Sequence, residues 1–370
     1  MKLYEYEINN IKIIICESEK PFVTVHLFTL CGMENDKYYI NGITHLSEHL
    51  LLKQKNIYSY FNFQNAYVEK EFTSFYGIVF EQDFKSFFNT FIQLYSNFNV
   101  DIIKLNKEKN IIKNYENVRV MNDCNIMDIN HMENKILNEN ERYEYTIDEA
   151  FNNITLKHVY EYVNNEHIPA KKYLIISGNN LDHNDIIASV QKSFTYNCNI
   201  MLENKVSKKN ISKNEIKTIH QYNPKQKIFA IKYDKHDIID LFKIKILCLI
   251  YKTYLKQNGN SKNRINDIII KNYKNFIVIY FVYIKTDENP IKQLKDLSID
   301  FIQAIFNEVK KQLILSYINI SCNCIEFNKL LFKFSYYYNK ILNLDEIYLQ
   351  IKSIDINEIY SFHKKLLVIA

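Results

Sequence analysis

Residues 42–53 have the sequence Gly-Ile-Thr-His-Leu-Ser-Glu-His-Leu-Leu-Leu-Lys. The stretch after the glycine predicts a helix over 43–53, on which His45 and His49 share one face because they are four residues apart. Glu48 lies on the same face, where its carboxylate can take a proton from a water held by a metal ion. This His-x-x-Glu-His order is the reverse of the common His-Glu-x-x-His arrangement. The stretch therefore predicts a zinc site with two histidine ligands and Glu48 as the general base.

The competing interpretation of these residues is a chance cluster of histidine and glutamate on an exposed helix face. The chain contains ten histidines among 370 residues, and a random match to a motif of this kind occurs in roughly a few per cent of such chains. The remaining histidines show no comparable spacing with an acid. The motif alone leaves the two interpretations about equal, so the surrounding sequence has to decide between them.

The composition is that of a soluble globular protein long enough for two domains, with 47% hydrophobic and 24% charged residues. The formal net charge of +5 is spread along the chain without a basic stripe, which argues against nucleic-acid binding. The N-terminus has no signal-peptide hydrophobic region and no apolar run reaches about eighteen residues, so a membrane span is not expected. The seven cysteines form no paired framework, which favours a reduced, cytoplasmic setting.

The apolar pattern alternates between strand-like and helix-like stretches. Strands are predicted at 11–16, 22–30, 72–80 and 173–177, and helices at 84–95, 102–121 and 156–163, the last with Thr155 as N-cap. A polar stretch over 203–216 predicts a linker, and the same strand-then-helix order follows it. We therefore predict an α+β fold of two similar domains, each a mostly antiparallel sheet packed with helices. Residues 1–202 carry the metal motif, and residues 217–370 do not.

The sequence around the motif resembles the pitrilysin/insulysin and mitochondrial processing peptidase family of zinc metallopeptidases. That family's pattern joins apolar strand residues, a glycine and G-[IV]-[AT]-H-x-x-E-H, and Val23–Lys53 follows it. Asn65–Tyr76 is similar to the family's N-A-x-T-x-x-E-x-T-x-Y segment, with Val68 in place of the first threonine, and residues 154–178 resemble the end of the family's first domain. The resemblance implies one half of a metallopeptidase clamshell.

The resemblance also implies a third zinc ligand, a glutamate in the helical pattern E-[RK]-x-[IV]-I-x-x-E. In the matching segment, Glu108 falls on the family's supporting glutamate, Tyr115 on the ligand position and Glu116 one residue beyond it. One residue rotates a side chain by about 100° around a helix, so Glu116 reaches the ion only if the helix contains a bulge or a local adjustment. A tyrosine phenolate as ligand, and an acid supplied differently through Glu108, stay open as alternatives.

Members of this family bind extended peptides by adding them as a strand to a sheet edge beside the zinc. Asn65, Ala66 and Tyr67 are therefore candidate substrate-binding residues, although an ordinary core strand explains this region equally well. The arginine and tyrosine that hold the substrate backbone in many relatives have no clear counterpart around Arg264–Phe276. Together with the half-clamshell length, their loss implies a homodimer or a heterodimer with a related subunit.

The motif and the resemblance together predict a cytoplasmic zinc endopeptidase acting on peptides or small unfolded precursors, with peptide maturation as one role that the resemblance suggests. The alternative is a non-catalytic or weakly active subunit of a heterodimeric peptidase of the same family. A third hypothesis is a peptide-binding module without metal chemistry.

Overall fold

The computed structural model describes residues 1–53, 63–96, 98–122, 149–194, 216–219, 226–235, 237–258, 265–284 and 293–369. The chain divides into two compact units. The first contains residues 1–120, 145–206 and 323–332, and the second contains residues 121–144, 207–322 and 333–370. Each unit has its own sheet with helices, which confirms the predicted α+β class.

The first unit contains a six-stranded sheet. Its strands are β1 (Lys2–Ile8), β2 (Ile11–Glu17), β3 (Phe22–Thr29), β4 (Phe63–Val68), β5 (Thr73–Phe80) and β6 (Lys172–Gly178). Their order is β1-β2-β6-β3-β5-β4, and every pair is antiparallel except β2 with β6. Val23, Val25 and Leu27 alternate along β3 as predicted, and all three are fully buried in the core. Strand β4 lies at one edge of this sheet, because it has a described strand neighbour, β5, on one side only.

Helices cover the apolar face of this sheet. They are α1 (Ile43–Leu52), α2 (Phe84–Ser96), α3 (Ile102–Asn122), α4 (Glu149–Asn152), α5 (Leu156–Glu166) and α6 (His183–Ser193). The helix predicted at 84–95 buries Phe87 and Phe91 completely, because apolar residues at helical spacing form one stripe. Thr155 caps α5 as predicted, its hydroxyl accepting a hydrogen bond from the backbone N–H of His158.

The second unit contains a four-stranded antiparallel sheet in the order β7-β8-β10-β9. The strands are β7 (Ile216–Ile219), β8 (Gln226–Asp234), β9 (Ile265–Asn272) and β10 (Phe276–Ile284). The helices that follow the first unit's main segments are α7 (Ile238–Asn258), α8 (Ile299–Cys322), α9 (Cys324–Tyr338), α10 (Leu344–Ser353) and α11 (Ile356–Ile369). Helix α9 belongs to the first unit up to Phe332 and to the second unit from Lys333, and the other four helices belong to the second unit. Helix α7 packs against β9 and α8. Residues 203–215 lie outside the described residues, so the linker at 203–216 and the domain limits it sets stay predictions.

None of the described helices is both long enough and apolar enough to cross a membrane.

Gly42 is the residue whose backbone conformation starts α1. Its φ is 84°, in the left-handed region that favours glycine, and an added Cβ would lie 2.8 Å from Cδ2 of Phe151. We expect Gly42→Ala to lower the free energy of unfolding by about 2 kcal/mol, because the left-handed conformation and the ring contact both oppose a side chain. Urea unfolding measures this difference, and a variant as stable as the parent chain would show that the turn relaxes without cost.

Candidate metal centre

The N-terminus of α1 is held by a buried aspartate from the preceding turn. Asp36 accepts hydrogen bonds from the backbone N–H of Gly42 at 2.8 Å and of Thr44 at 3.1 Å, and from the Thr44 hydroxyl at 2.5 Å. Burial raises the pKa of Asp36 to about 6, against the lowering effect of these hydrogen bonds. Helix termini leave N–H groups without intrahelical partners, so Asp36 fixes where the helix begins. Asp36 was not predicted from the sequence, since six residues separate it from the turn glycine.

The side chains of His45, Glu48 and His49 converge on one side of α1, where the two histidines are half-buried and Glu48 is buried. The Nε2 atoms of His45 and His49 each lie 3.9 Å from Oε2 of Glu48, and the two ring centroids are 4.9 Å apart. One donor atom from each of the three residues lies within 4.8 Å of the others. The i, i+3, i+4 spacing produces this arrangement because it places all three side chains on one helix face.

The electrostatics of the site favour a cation. Burial, opposed by the charge of Lys53 and assisted by that of Glu108, raises the pKa of Glu48 to about 8. The described protein groups therefore compensate the negative charge of Glu48 only weakly. A positive ion beside the carboxylate would compensate it. Burial lowers the pKa of His49, which favours the neutral imidazole that binds metals. The two imidazoles are donors that zinc prefers, and the carboxylate of Glu48 lies beside them, so the residues present fit this ion.

Glu108 lies behind His49. Its Oε2 atom is 3.0 Å from Nδ1 of His49 and 2.8 Å from Nζ of Lys53, and its side chain is 3% exposed. Although burial opposes this, hydrogen bonds from Lys53 and His49 hold the pKa of Glu108 below its ordinary value. The carboxylate therefore contacts the ring nitrogen opposite the one that faces Glu48. This is the place of a supporting residue, which the resemblance implied for Glu108.

The backbone of α3 continues through Tyr115 and Glu116. The side chains of both residues lie outside the described part of the structure. The third ligand, whether Glu116, Tyr115 or neither, therefore stays a prediction.

The candidate substrate-binding residues all lie in β4. Asn65, Ala66 and Tyr67 pair with Tyr76, Phe75 and Ser74 of β5. Helix α1 packs against β4, so the strand runs beside the histidine cluster. Asn65 is exposed, and its side-chain oxygen accepts a hydrogen bond from the backbone N–H of Ala66 at 2.8 Å.

Tyr67 differs from its two neighbours because it belongs to an aromatic cluster. Its ring lies 6.1 Å from that of Tyr76 and 6.3 Å from that of Phe72. Nζ of Lys329 lies 4.5 Å from the centroid of the Tyr67 ring. These contacts are those of a packing residue, so the strand backbone and Asn65 are the better candidates for contact with a peptide.

Comparison with known proteins agrees with this geometry. Residues 12–142 match the family model described as insulinase, peptidase family M16. No curated protein sequence matches the chain at a significant level. The stretch that carries the histidine cluster therefore matches the insulinase family model, and the resemblance found in the sequence is confirmed.

Solved structures extend this likeness to the fold of the whole chain. A protease from Helicobacter pylori matches 98% of this chain and 96% of its own with a TM-score of 0.74 at 15% identity. The first half of the periplasmic protease PqqL from Escherichia coli matches 99% of this chain and 89% of its own, with a TM-score of 0.72 at 16% identity. The full-length PqqL structure matches 99% of this chain but only 46% of its own, with a TM-score of 0.70 at 16% identity. The fold is therefore that of one half of an M16 protease.

Proposed function

We propose that this protein is a zinc-dependent endopeptidase that hydrolyses peptides or small unfolded precursors. The observation that carries the proposal is the convergence of Nε2 of His45 and Nε2 of His49 on the buried carboxylate of Glu48, at 3.9 Å from each. A bound zinc ion supplies a Lewis acid that polarises a carbonyl group and lowers the pKa of water. The membership of residues 12–142 in a peptidase family supports the same chemistry.

The chain's own residues have separate tasks in this reaction. His45 and His49 would hold the ion, and Glu108 would orient the ring of His49 through its contact with Nδ1. Glu48 takes the proton of the attacking water and then passes it to the leaving amine, because its carboxylate lies beside both imidazoles. Its burial places this proton transfer in a site with little bulk water.

The edge of β4 that has no neighbour among the described strands is the proposed binding site for the peptide. An extended substrate can add to this edge as a further strand, so that backbone hydrogen bonds give affinity with little dependence on sequence. Contact between β4 and α1 supports this proposal, because the strand lies against the helix that carries Glu48. We also propose a second half-clamshell as partner, from another copy or a related subunit, which the match to 46% of full-length PqqL supports.

The test of this function is zinc content combined with cleavage of a quenched fluorescent peptide library. We expect about one zinc per chain, cleavage that stops with a chelator, and its return when Zn²⁺ is added back. His45→Ala should lose both zinc and cleavage, whereas His158→Ala, which removes a histidine of α5, should retain them. A purified chain that takes up no zinc when it is supplied would contradict the proposal.

A second candidate is a subunit that keeps the fold and contributes binding surface to an active partner. The observation that favours it is a sequence fact, because the position at which the family has its third ligand is Tyr115. This candidate predicts peptide binding without cleavage by the chain alone, whether or not zinc is present. Cleavage by the isolated chain would rule it out.

A further inference from the structure

Lys53 lies at the end of the helix that carries the two histidines. Its backbone N–H donates to the carbonyl oxygen of His49 at 3.2 Å, which closes α1. Its ammonium group donates to Oε2 of Glu108 at 2.8 Å. The same oxygen is 3.0 Å from Nδ1 of His49. Lys53, Glu108 and His49 therefore form one chain of contacts that leads to the proposed metal ligand.

This chain of contacts has a consequence for the histidine ring. A neutral histidine that binds a metal through Nε2 carries its proton on Nδ1, and the hydrogen bond at Nδ1 decides which tautomer is present. A carboxylate oxygen accepts this proton's hydrogen bond strongly. Glu108 can do so only if its carboxylate keeps its orientation, and its side chain is just 3% exposed. A buried carboxylate is held in place by the donors that contact it, and the ammonium group of Lys53 is one of these donors at 2.8 Å.

Lys104 provides a useful contrast. It lies one turn before Glu108 on α3, so both lysines bring positive charge close to the carboxylate. The hydrogen bonds that Oε2 of Glu108 accepts come from Lys53 and His49. A purely electrostatic role would be shared by both lysines, whereas a role in orientation belongs to Lys53.

The same contacts bear on the identity of the metal ligands. Oε2 of Glu108 is engaged by two donors on the Nδ1 side of His49, whereas Nε2 of that ring faces Glu48. Lys53 therefore holds Glu108 in a supporting position and away from direct coordination.

We propose that Lys53 is a positioning residue for the metal centre, acting through Glu108 to present Nε2 of His49 to the ion. This role rests on the proposed zinc site. The alternative to this role is that Lys53 only interacts with the helix dipole at the C-terminus of α1, as lysines near helix ends commonly do.

The test compares Lys53→Met, Lys53→Arg and Lys104→Met in the full chain. Partners that orient a metal-binding histidine are typically worth about 10- to 100-fold in metal affinity. Because Lys53 acts through Glu108, we expect the lower end of this range, a roughly 10-fold weaker zinc affinity for Lys53→Met. Lys53→Arg should restore most of the affinity because it keeps a charged donor, and Lys104→Met should stay close to the parent chain. Competition with a chromophoric chelator measures all four affinities.

Nitrogen-15 NMR of the histidine side chains in the metal-free protein gives a second readout. We expect the Nδ1-protonated tautomer of His49 to predominate in the parent chain and in Lys53→Arg, and to lose population in Lys53→Met. A role confined to the helix terminus would leave this signature unchanged. Unchanged zinc affinity and tautomer in Lys53→Met, or an equal loss in Lys104→Met, would overturn the inference. If the parent chain binds no zinc, the proposed function fails, and the tautomer still decides whether Lys53 orients His49.

Discussion

Glu48→Gln is expected to lower kcat for peptide cleavage by about 10²- to 10⁴-fold, because general acid–base catalysis contributes an effect of this size. Glutamine has nearly the same shape as glutamate but cannot take a proton from water. The side chain is 6% exposed, and among the described residues no other carboxylate joins the two histidines in this cluster to replace it. KM should change little, since the peptide is bound through the strand edge of β4.

Zinc content makes this prediction specific. If Glu48 acts as the base, Glu48→Gln should retain stoichiometric zinc. Loss of the metal together with activity would instead identify Glu48 as a ligand, which its 3.9 Å distance to each Nε2 atom permits. The matched control is Glu161→Gln, which changes an exposed glutamate on α5 and should leave kcat unchanged. Single-turnover cleavage of a quenched peptide and elemental analysis provide the two measurements.

Lys172→Met is expected to raise the free energy of unfolding at pH 7 by up to about 3 kcal/mol. Lys172 is the first residue of β6, is 2% exposed, and burial lowers its pKa from 10.5 to about 8. The difference of about 2.5 between these values corresponds to about 3 kcal/mol at roughly 1.36 kcal/mol for each pKa unit. The parent chain bears this cost because burying the ammonium form of Lys172 is unfavourable. Methionine has a similar volume and no charge, so the variant avoids this cost.

The lowered pKa of Lys172 also makes the free energy of unfolding depend on pH. Between pH 8 and pH 10.5 the unfolded chain binds more protons at Lys172 than the folded chain, so the stability of the parent rises with pH in this window. Below pH 8 the cost is present in full. The advantage of Lys172→Met should therefore be largest at or below pH 8 and disappear near pH 10.5.

Urea unfolding at several pH values measures both the size and the pH dependence of this effect. The control is Lys157→Met, an exposed lysine of α5, for which we expect a change within about 0.5 kcal/mol. A destabilised Lys172→Met variant at pH 7 would mean that the ammonium group makes interactions worth more than its burial costs.

The elements around the motif could be predicted because local sequence dictates them. A helix over 43–53 was predicted, and α1 spans Ile43–Leu52. Gly42 has the left-handed backbone that a turn before a helix requires, and Thr155 is the N-cap of α5. The alternation of Val23, Val25 and Leu27 marked a core strand. Each of these signals comes from residues within one turn or one strand, where spacing alone determines which side chains share a face.

The contacts that support the site could not be predicted in the same way, because they join residues far apart in the chain. Lys53 and Glu108 are 55 positions apart, and β2 pairs in parallel with β6, which begins at Lys172. Periodicity gives no information about such pairings. Only the family resemblance suggested a supporting role for Glu108, and it said nothing of Lys53 or Asp36.

Almost every described part of the proposed centre comes from one short stretch, residues 36–53. This stretch contains the acid that starts α1, the turn glycine, both histidines, the base and Lys53, while Glu108 is contributed by α3. The sheet of the first unit is built from strands outside this stretch. A few substitutions within residues 36–53 can therefore abolish the proposed chemistry. The sheet contains none of these residues and would survive such substitutions. A variant of this chain can therefore lose the proposed chemistry while it keeps its scaffold.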